Sequence, residues 1–351
     1  VSVRAVLAFP GDLATPTGGY AYDRRMLAEL QALGLDIAPL PLGDGFPFPE
    51  RAAVDEALAR LQATAPDTVL LVDGLALGVL PAAGLAALER PIVCLVHHPL
   101  ALESGLGDAT RAHLAESERA ALAQCRAVVV TAPATARTLA ADFGVSACAI
   151  TLALPGTQDA PRAPGSGDPP RLLAIGSAIP RKGYGVLLEA LARLGDLPFS
   201  LAIAGSLTLD PATAADIRPQ AEALPEGRVR LLGALPADAL DRLYQEADIF
   251  VHPSLYEGYG MVLAEALKRG LPVVCTTGGA AAETVPDGAG LKVPPGDAGA
   301  LAEALRAVIA DRALRRRLAD AAFAAGAALP TWADGARAIA ATLTRVGGDR
   351  R

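Results

Sequence analysis

Ile249-Phe-Val-His-Pro-Ser-Leu-Tyr-Glu-Gly-Tyr-Gly-Met-Val-Leu-Ala-Glu-Ala-Leu-Lys-Arg-Gly270 reads as a strand, a glycine-bearing turn and a helix in immediate succession. Its opening run, Ile249 to Ser254, is apolar and of strand length, which predicts a buried strand. Leu263 to Arg269 has helical spacing and is closed by Gly270. Gly258 and Gly260 therefore fall where a strand end turns into a helix start. Backbone N–H groups at such a start have no partner inside the helix, and the helix dipole adds partial positive charge. Phosphate binds well there, and glycine lets a ligand come close to the backbone. Glu257 stands just before the helix and Glu265 about two turns along it. An anion site bracketed by two acids calls for a ligand with a phosphate for the amides and hydroxyls for the carboxylates. A nucleotide sugar fits that description.

The same alternation runs outward in both directions. Toward the C-terminus and back to the middle of the chain, strands are expected at Leu172–Ile175, Ser200–Ala204, Val229–Leu232, Ile249–His252 and Val273–Thr276. Helical spacing fills the gaps at Val186–Leu194, Ala212–Ala223, Asp238–Glu246 and Val262–Arg269, and continues at Ala298–Ile309 and Ala313–Ala328. The first half carries its own set. Apolar runs lie at Val3–Phe9, Thr68–Val72, Ile92–Val96, Val128–Thr131 and Ile150–Leu154, with helical patterns at Tyr20–Leu33, Arg51–Ala63, Arg111–Gln124 and Ala134–Phe143. Unbroken apolar runs suit parallel strands covered on both faces. Five prolines and three glycines between Pro155 and Pro170 mark a linker. The order predicts an α/β protein of two doubly wound, Rossmann-like domains facing a cleft. The expected division is residues 1–160, residues 161–332, and a closing helix in 333–351 that packs back on the first domain. In such sheets ligands sit beyond the carboxyl ends of the strands.

Composition narrows the classes. With 351 residues, 52% of them hydrophobic, the chain can fill two ordinary cores. Only 20% are charged, too few and too mixed for a disordered chain. The net charge of −7 is uneven. Residues 1–160 hold ten Arg and no Lys against seventeen Asp and Glu, while the rest balances at 21 against 21. A broad nucleic-acid surface is therefore not expected. The acidic first half speaks against a grip on anionic lipid, although apolar residues at Leu100–Leu106, if exposed, would favour membrane contact. No opening signal peptide is visible, and Gly74–Leu88, the longest uncharged apolar stretch, is short for a span and contains Pro81. The expectation is a cytoplasmic protein, with peripheral membrane association left open. Cys94, Cys125, Cys148 and Cys275 have no metal-binding spacing and are expected as reduced core residues.

Three more loops sit at strand ends. Pro10-Gly-Asp-Leu-Ala-Thr-Pro-Thr-Gly-Gly19 lacks the Gly-x-Gly-x-x-Gly dinucleotide fingerprint, so a redox function loses its main support. Its Gly18-Gly19 pair would still let a phosphate approach a helix start, or is simply a flexible turn. Gly176-Ser-Ala-Ile-Pro-Arg181-Lys182-Gly183 puts two cations beside a strand end, in a chain with only two other lysines, Lys268 and Lys292. Arg grips two oxygens in a fork and Lys acts as a point charge, which suits a diphosphate; the bland alternative is a solvated basic pair. Val96-His97-His98-Pro99 ends an apolar strand and is a functional or a structural feature on equal grounds. His252 lies inside a strand and reads as structural. No His-x-x-x-His spacing and no Asp-x-Asp pair occurs, so no dedicated metal site is evident. Paired carboxylates also serve glycoside hydrolases, but a pair beside a phosphate site favours hydroxyl recognition.

Gly18-Gly19, Arg181-Lys182-Gly183 and Glu257-x₇-Glu265, in this order and on these elements, resemble the family 4 retaining glycosyltransferases of GT-B fold. So does the tail Gly278-Gly-Ala-Ala-Ala-Glu283-Thr-Val-Pro-Asp-Gly288 with Leu291-Lys-Val-Pro-Pro-Gly-Asp297. The match is strong in the second half and looser in the first. The resemblance implies that Arg181 and Lys182 bind the donor diphosphate and stabilise it as it leaves. It implies that Glu257 accepts hydrogen bonds from sugar hydroxyls and that the amides around Gly258, Tyr259, Gly260, Met261 and Val262 hold sugar and phosphate. Glu265 would bind the ribose, Gly19 would approach the phosphates from the other domain, and His97, or its neighbour His98, would lie near the reacting sugar. Tyr259 stands where Phe is common. The implied reaction moves a hexose from a nucleoside-diphosphate sugar, UDP before GDP, to a hydroxyl acceptor with retention of configuration. No metal and no cofactor is expected, and the acceptor, a lipid or cell-surface glycan intermediate among others, is not specified. A nucleotide-sugar epimerase of similar fold and a catalytically inactive binding subunit are the alternatives; the first would need no acceptor, and the second would predict loss of Arg181, Lys182, Glu257 or Glu265, all of which are present.

Overall fold

The computed structural model describes residues 3–348. Residues 1–2 and 349–351, the outermost parts of the expected first domain and closing segment, lie outside the described residues. The chain divides into two compact units, one comprising everything up to Gly156 together with the stretch from Pro330 onward, the other Thr157–Leu329.

The first unit is built on a six-stranded sheet. Its strands are β1 (Arg4–Phe9), β2 (Asp36–Pro41), β3 (Val69–Asp73), β4 (Ile92–Val96), β5 (Ala127–Val130) and β6 (Ile150–Leu152). They lie in the order β2-β1-β3-β4-β5-β6, all parallel. Every residue of β3, β4 and β5 is buried, as continuous apolar strands require. The sequence reading has no strand at β2, because Pro39 and Pro41 interrupt it. An edge position tolerates them, since one side of an edge strand needs no donors. The last helix, Trp332–Gly348, packs on this unit through Ile339, Leu343 and Val346, with Thr342 hydrogen-bonded to Thr151 of β6 at 2.8 Å. Near Leu100–Leu106 the apolar exposure that would favour membrane contact is absent. Leu100 and Ala101 are buried and Leu106 packs on the core, because the short 3₁₀ turn there folds inward against helix Asp108–Leu122.

The second unit repeats the design with β7 (Arg171–Ile175), β8 (Ser200–Ala204), β9 (Val229–Leu231), β10 (Ile249–His252), β11 (Val273–Thr276) and β12 (Gly290–Val293). The order β12-β11-β10-β7-β8-β9 is again all parallel. β12, whose Gly-Leu-Lys-Val is only weakly apolar, is the second strand absent from the sequence reading, and it too is an edge. The proline-rich stretch after Gly156 is tied to this unit: the amides of Gly167 and Arg171 both donate to the buried Asp248 carboxylate at 2.7 Å. Both units are thus doubly wound α/β domains, as expected.

Of the four cysteines, Cys94 and Cys275 are core residues. Cys125 is half-buried and Cys148 is exposed on a turn before β6, so the expectation of four core thiols fails there. No described helix is long and apolar enough to cross a membrane.

Candidate functional site

In a doubly wound sheet the chain leaves the central strand in one direction and later in the other, and the loops at that switch diverge to leave a crevice. In the second unit the switch falls between β7 and β10, which are hydrogen-bonded neighbours. The loop after β7 carries Arg181-Lys182-Gly183, and the loop after β10 carries Glu257 to Gly260.

These two loops are fastened together. The Leu255 amide donates to the Arg181 carbonyl at 2.7 Å, and the Arg181 guanidinium donates to the Tyr256 carbonyl at 3.0 Å. Gly183 has φ +64°, and a Cβ there would stand 2.3 Å from the Pro253 carbonyl oxygen. Only glycine allows the turn to close this tightly. A third loop, after β11, joins from the other side. The Glu257 amide donates to Gly278 at 3.2 Å and the Ala280 amide to Glu257 at 2.8 Å. A Cβ on Gly279 would lie 2.3 Å from the Glu257 carbonyl oxygen, which explains the Gly278-Gly279 pair of the tail motif.

The charges converge on one carboxylate. Glu257 Oε1 lies 2.5 Å from Lys182 Nζ, 2.9 Å from His252 Nε2 and 3.5 Å from the Arg181 guanidinium, and its side chain is 7% exposed. Burial opposes its charge, but Lys182, His252 and Arg181 together hold the carboxyl well below the usual carboxylate range. Burial lowers the His252 pKa, with Lys182 and Arg181 adding to the effect against the pull of Glu257, which keeps the ring neutral. Ser254 Oγ also lies 3.0 Å from His252 Nε2. His252, read from sequence as a structural strand residue, is in direct contact with Glu257. The available signal was its register: β10 ends at His252, at the carboxyl edge of the sheet.

Helix Met261–Lys268 starts at Gly260, which has φ +84°. The amides of Met261 and Val262 have no acceptor among the described residues, so the helix start is open to an anion. Tyr259 is buried, and its carbonyl takes a 2.6 Å hydrogen bond from Thr284. Glu265 is held rather than free on the helix surface: the Tyr244 hydroxyl donates to Oε2 at 2.7 Å. Burial raises the Glu265 pKa, partly offset by Tyr244 and Arg269. Tyr244 in turn stacks under the Arg269 guanidinium, 4.4 Å from its ring centre.

The structure therefore brings Arg181, Lys182, Glu257, Gly258, Tyr259, Gly260, Met261, Val262 and Glu265 to one edge of the second sheet. Gly18, Gly19 and His97 belong to the first unit, where they form a separate group. Gly18 and Gly19 begin helix Gly18–Ala32, and the place of a Gly19 Cβ is 3.4 Å from the His97 ring. His98 turns away to Glu103 at 3.3 Å, so of the two histidines it is His97 that lies against the glycine loop. His97 also meets Asp23 at 3.1 Å, with Asp73 close by, and neither acid was singled out in the sequence. Asp23 is an acid on the inward face of a helix, in line with the buried Met26 and Leu30. Asp73 ends β3 at the same sheet edge.

Comparison with known proteins agrees with this architecture. Residues 157–324 match the family model described as glycosyl transferases group 1, and residues 12–159 match that of glycosyltransferase family 4. The O-antigen chain mannosyltransferase B of Escherichia coli is 45% identical over 76 residues, 22% of this chain and 20% of its own. The phosphatidyl-myo-inositol mannosyltransferase of Mycobacterium leprae is 35% identical over 140 residues, 39% of this chain and 36% of its own. In both relatives the matched stretch spans well under half of the relative's length. Among solved structures, sucrose-phosphate synthase from Thermosynechococcus elongatus superposes with a TM-score of 0.78 at 22% identity, covering 99% of this chain and 100% of that one. Anabaena HepE, in complex with UDP and glucose, gives 0.76 at 21% identity over 96% and 99%. At such identities the likeness concerns the fold, which is GT-B. With the two models together accounting for nearly the whole length, the chain belongs to the family 4, group 1 glycosyltransferases.

Proposed function

We propose that the protein is a retaining glycosyltransferase that moves a hexose from a nucleoside-diphosphate sugar, UDP-linked in preference to GDP-linked, to a hydroxyl acceptor without a metal ion. The observation that carries this is the convergence of Lys182 and Arg181 on Glu257 beside the open helix start at Met261. Lys182 has three N–H donors; one to Glu257 leaves two for phosphate oxygens. As the bond between the anomeric carbon and the diphosphate breaks, negative charge grows on the diphosphate. Two fixed cations and a set of amides stabilise that charge without reorganising, which is how electrostatic preorganisation lowers a barrier. Glu257 takes hydrogen bonds from sugar hydroxyls through its remaining oxygen, and Glu265, held by Tyr244, takes those of the ribose.

The acceptor hydroxyl attacks from the side of the leaving group. Its oxygen bonds to the anomeric carbon, its proton passes to the departing diphosphate, and configuration is retained. HepE was crystallised with UDP, and relatives are named for O-antigen chain and phosphatidylinositol substrates. The first supports a UDP-linked donor here, and the second a glycan or lipid acceptor.

Calorimetric titration with UDP, GDP and ADP, followed by turnover of the matching sugar donors with and without an added acceptor and with EDTA, tests the proposal. UDP binding and acceptor-dependent, chelator-resistant transfer are expected. An epimeric sugar product formed without acceptor would make it an epimerase, and loss of turnover in EDTA would overturn metal independence.

A further inference from the structure

The first unit has its own switch point, between β1 and β3, and three ionisable side chains meet there. Asp23 comes from the helix after β1, Asp73 is the last residue of β3, and His97 follows β4 directly. Their ligating atoms lie within 4.8 Å of one another. Asp23 is fully buried and Asp73 nearly so. Asp23 Oδ1 is 3.1 Å from His97 Nε2, while Asp23 Oδ2 is buried without a hydrogen-bond partner among the described residues. Asp73 Oδ1 accepts the Leu75 amide at 2.9 Å.

Two carboxylates that face each other out of water cannot both carry charge cheaply, and a proton between them removes the conflict. It also gives the unpartnered Asp23 oxygen the hydrogen bond it lacks. The remaining negative charge then sits against the imidazole. The other titratable groups packed around the ring are engaged elsewhere: the Tyr20 hydroxyl donates to the Pro10 carbonyl at 2.7 Å and the Tyr22 hydroxyl to Ala153 at 2.8 Å. Thr131 from the end of β5 reaches the His97 carbonyl, not its ring, and Trp332 of the closing helix touches Tyr22. Tyr22 meets the His97 ring edge-on at 5.3 Å, and the ring lies beside the backbone of Gly19. The ring is thus clamped, with Nε2 committed to Asp23 and its side chain still 19% exposed.

We propose that Asp23 is a positioning residue: with Asp73 it forms a one-proton carboxyl pair that holds His97 by Nε2, so that the ring presents Nδ1–H as a fixed donor to a carbohydrate oxygen. His97 is then a hydrogen-bond donor and not a general base. The identity of the ligand rests on the glycosyl-transfer reading above; the state of the ring does not. Burial lowers the His97 pKa, but the charge and hydrogen bond of Asp23 and the charge of Asp73 outweigh it and raise it to about 9. Burial, then Asp23, push the Asp73 carboxyl up to about 7.

The test is an NMR titration of ¹⁵N-histidine-labelled full-length protein between pH 5 and 10 in EDTA, with no donor needed. Wild type should show His97 doubly protonated at pH 7.5 with a midpoint near 9. Asp23→Asn should drop the midpoint to about 6.5 or below, and Asp23→Glu should restore part of the shift. In transfer assays Asp23→Asn should lower kcat by about 100-fold with donor KM little changed, and should shift the alkaline limb of the pH profile with the NMR midpoint. A neutral His97 in the wild type at pH 7.5, or an Asp23→Asn protein with an unchanged midpoint, overturns the proposal. So does a chelator-reversible change in the His97 signals on adding Mg²⁺ or Zn²⁺, which would make the three groups a cation site. A doubly protonated His97 in a protein that transfers no sugar supports the clamp and sinks the transfer reading instead.

Discussion

Replacing Lys182 with Met separates a catalytic from a structural ion pair. Lys182 Nζ is 2.5 Å from Glu257 Oε1, and both side chains are largely buried, at 15% and 7% exposure. Two losses follow. The diphosphate loses one fixed cation, worth about 2–4 kcal/mol of transition-state stabilisation, or roughly 30- to 1000-fold in kcat. Glu257 loses its nearest partner but keeps His252 at 2.9 Å and Arg181 at 3.5 Å. The stability cost is therefore below that of stranding a buried charge, about 1–3 kcal/mol, which lowers Tm by roughly 3–10 °C. Adding Glu257→Gln removes the uncompensated charge. The double variant should regain most of the lost Tm, because an apolar and a neutral side chain can share this space at little cost. It should not regain rate, because the cation is still missing. Differential scanning fluorimetry and steady-state transfer on the four proteins of this cycle give both readouts. A folded Lys182→Met enzyme working within about twofold of wild type would remove Lys182 from the mechanism. Recovery of rate along with stability in the double variant would show that the pair serves only folding.

Gly183→Ala should push the Arg181-Lys182 turn away from Pro253, since φ is +64° and the new Cβ would meet a carbonyl oxygen at 2.3 Å. The expected result is a loss of about 1–3 kcal/mol in thermal unfolding, with UDP affinity falling further than stability; full affinity by calorimetry would contradict it. Tyr244→Phe removes the hydroxyl that holds Glu265 and should weaken UDP binding by roughly 5- to 30-fold, about 1–2 kcal/mol, with little change in kcat at saturating donor. Glu118 gives a pH prediction independent of function. Burial, against the Leu100 amide bond, pushes its carboxyl up to about 8. The folded state then holds a proton that the unfolded state releases from about pH 4.5, so stability of the first unit falls as pH rises from there to 8. Glu118→Gln should flatten that decline in urea unfolding across pH 4.5–8; an unchanged slope would show that Glu118 is ionised in the fold. For Glu257 the sign is opposite, because its folded pKa is depressed. Its stabilisation is complete above about pH 4.5 and is lost as pH falls below, so Glu257→Gln should blunt acid unfolding.

The sequence made the central strands legible because their chemistry is redundant. β3, β4, β5, β10 and β11 are buried on both faces, and nearly every residue in them is apolar. The edges β2 and β12 escaped notice because an edge relaxes the same demand: β2 keeps two prolines and β12 a lysine. Loop chemistry was legible where a residue type is scarce, as with Lys182. It was illegible where partners are assembled from distant strands. Nothing near Asp23 in sequence announces Asp73 or His97, and their meeting depends on β1, β3 and β4 lying side by side. His252 is hidden in the sequence for a different reason. A histidine in an apolar strand is ordinarily packed, and only its place at the last position of β10 turns it toward Glu257.

Each sheet concentrates its ionisable groups at the same topological place. In the second unit the strands at the switch, β7 and β10, deliver two cations and an acid; in the first, β1 and β3 lead to Asp23 and Asp73, with His97 from the next strand, β4. The chain turns away from the sheet in opposite directions on either side of the switch, so loop side chains gather there. Asp23, Asp73 and Glu257 are buried at these places, which strengthens each charge interaction and makes an unpaired charge costly. It explains why the two clusters differ in sign yet share a design. Around Glu257 the cations outnumber the acid, which suits a ligand that brings negative charge. Around His97 the acids outnumber the base, and a shared proton restores the balance. A ligand drawn to the first cluster would be anionic, and one drawn to the second would be neutral and rich in hydroxyls.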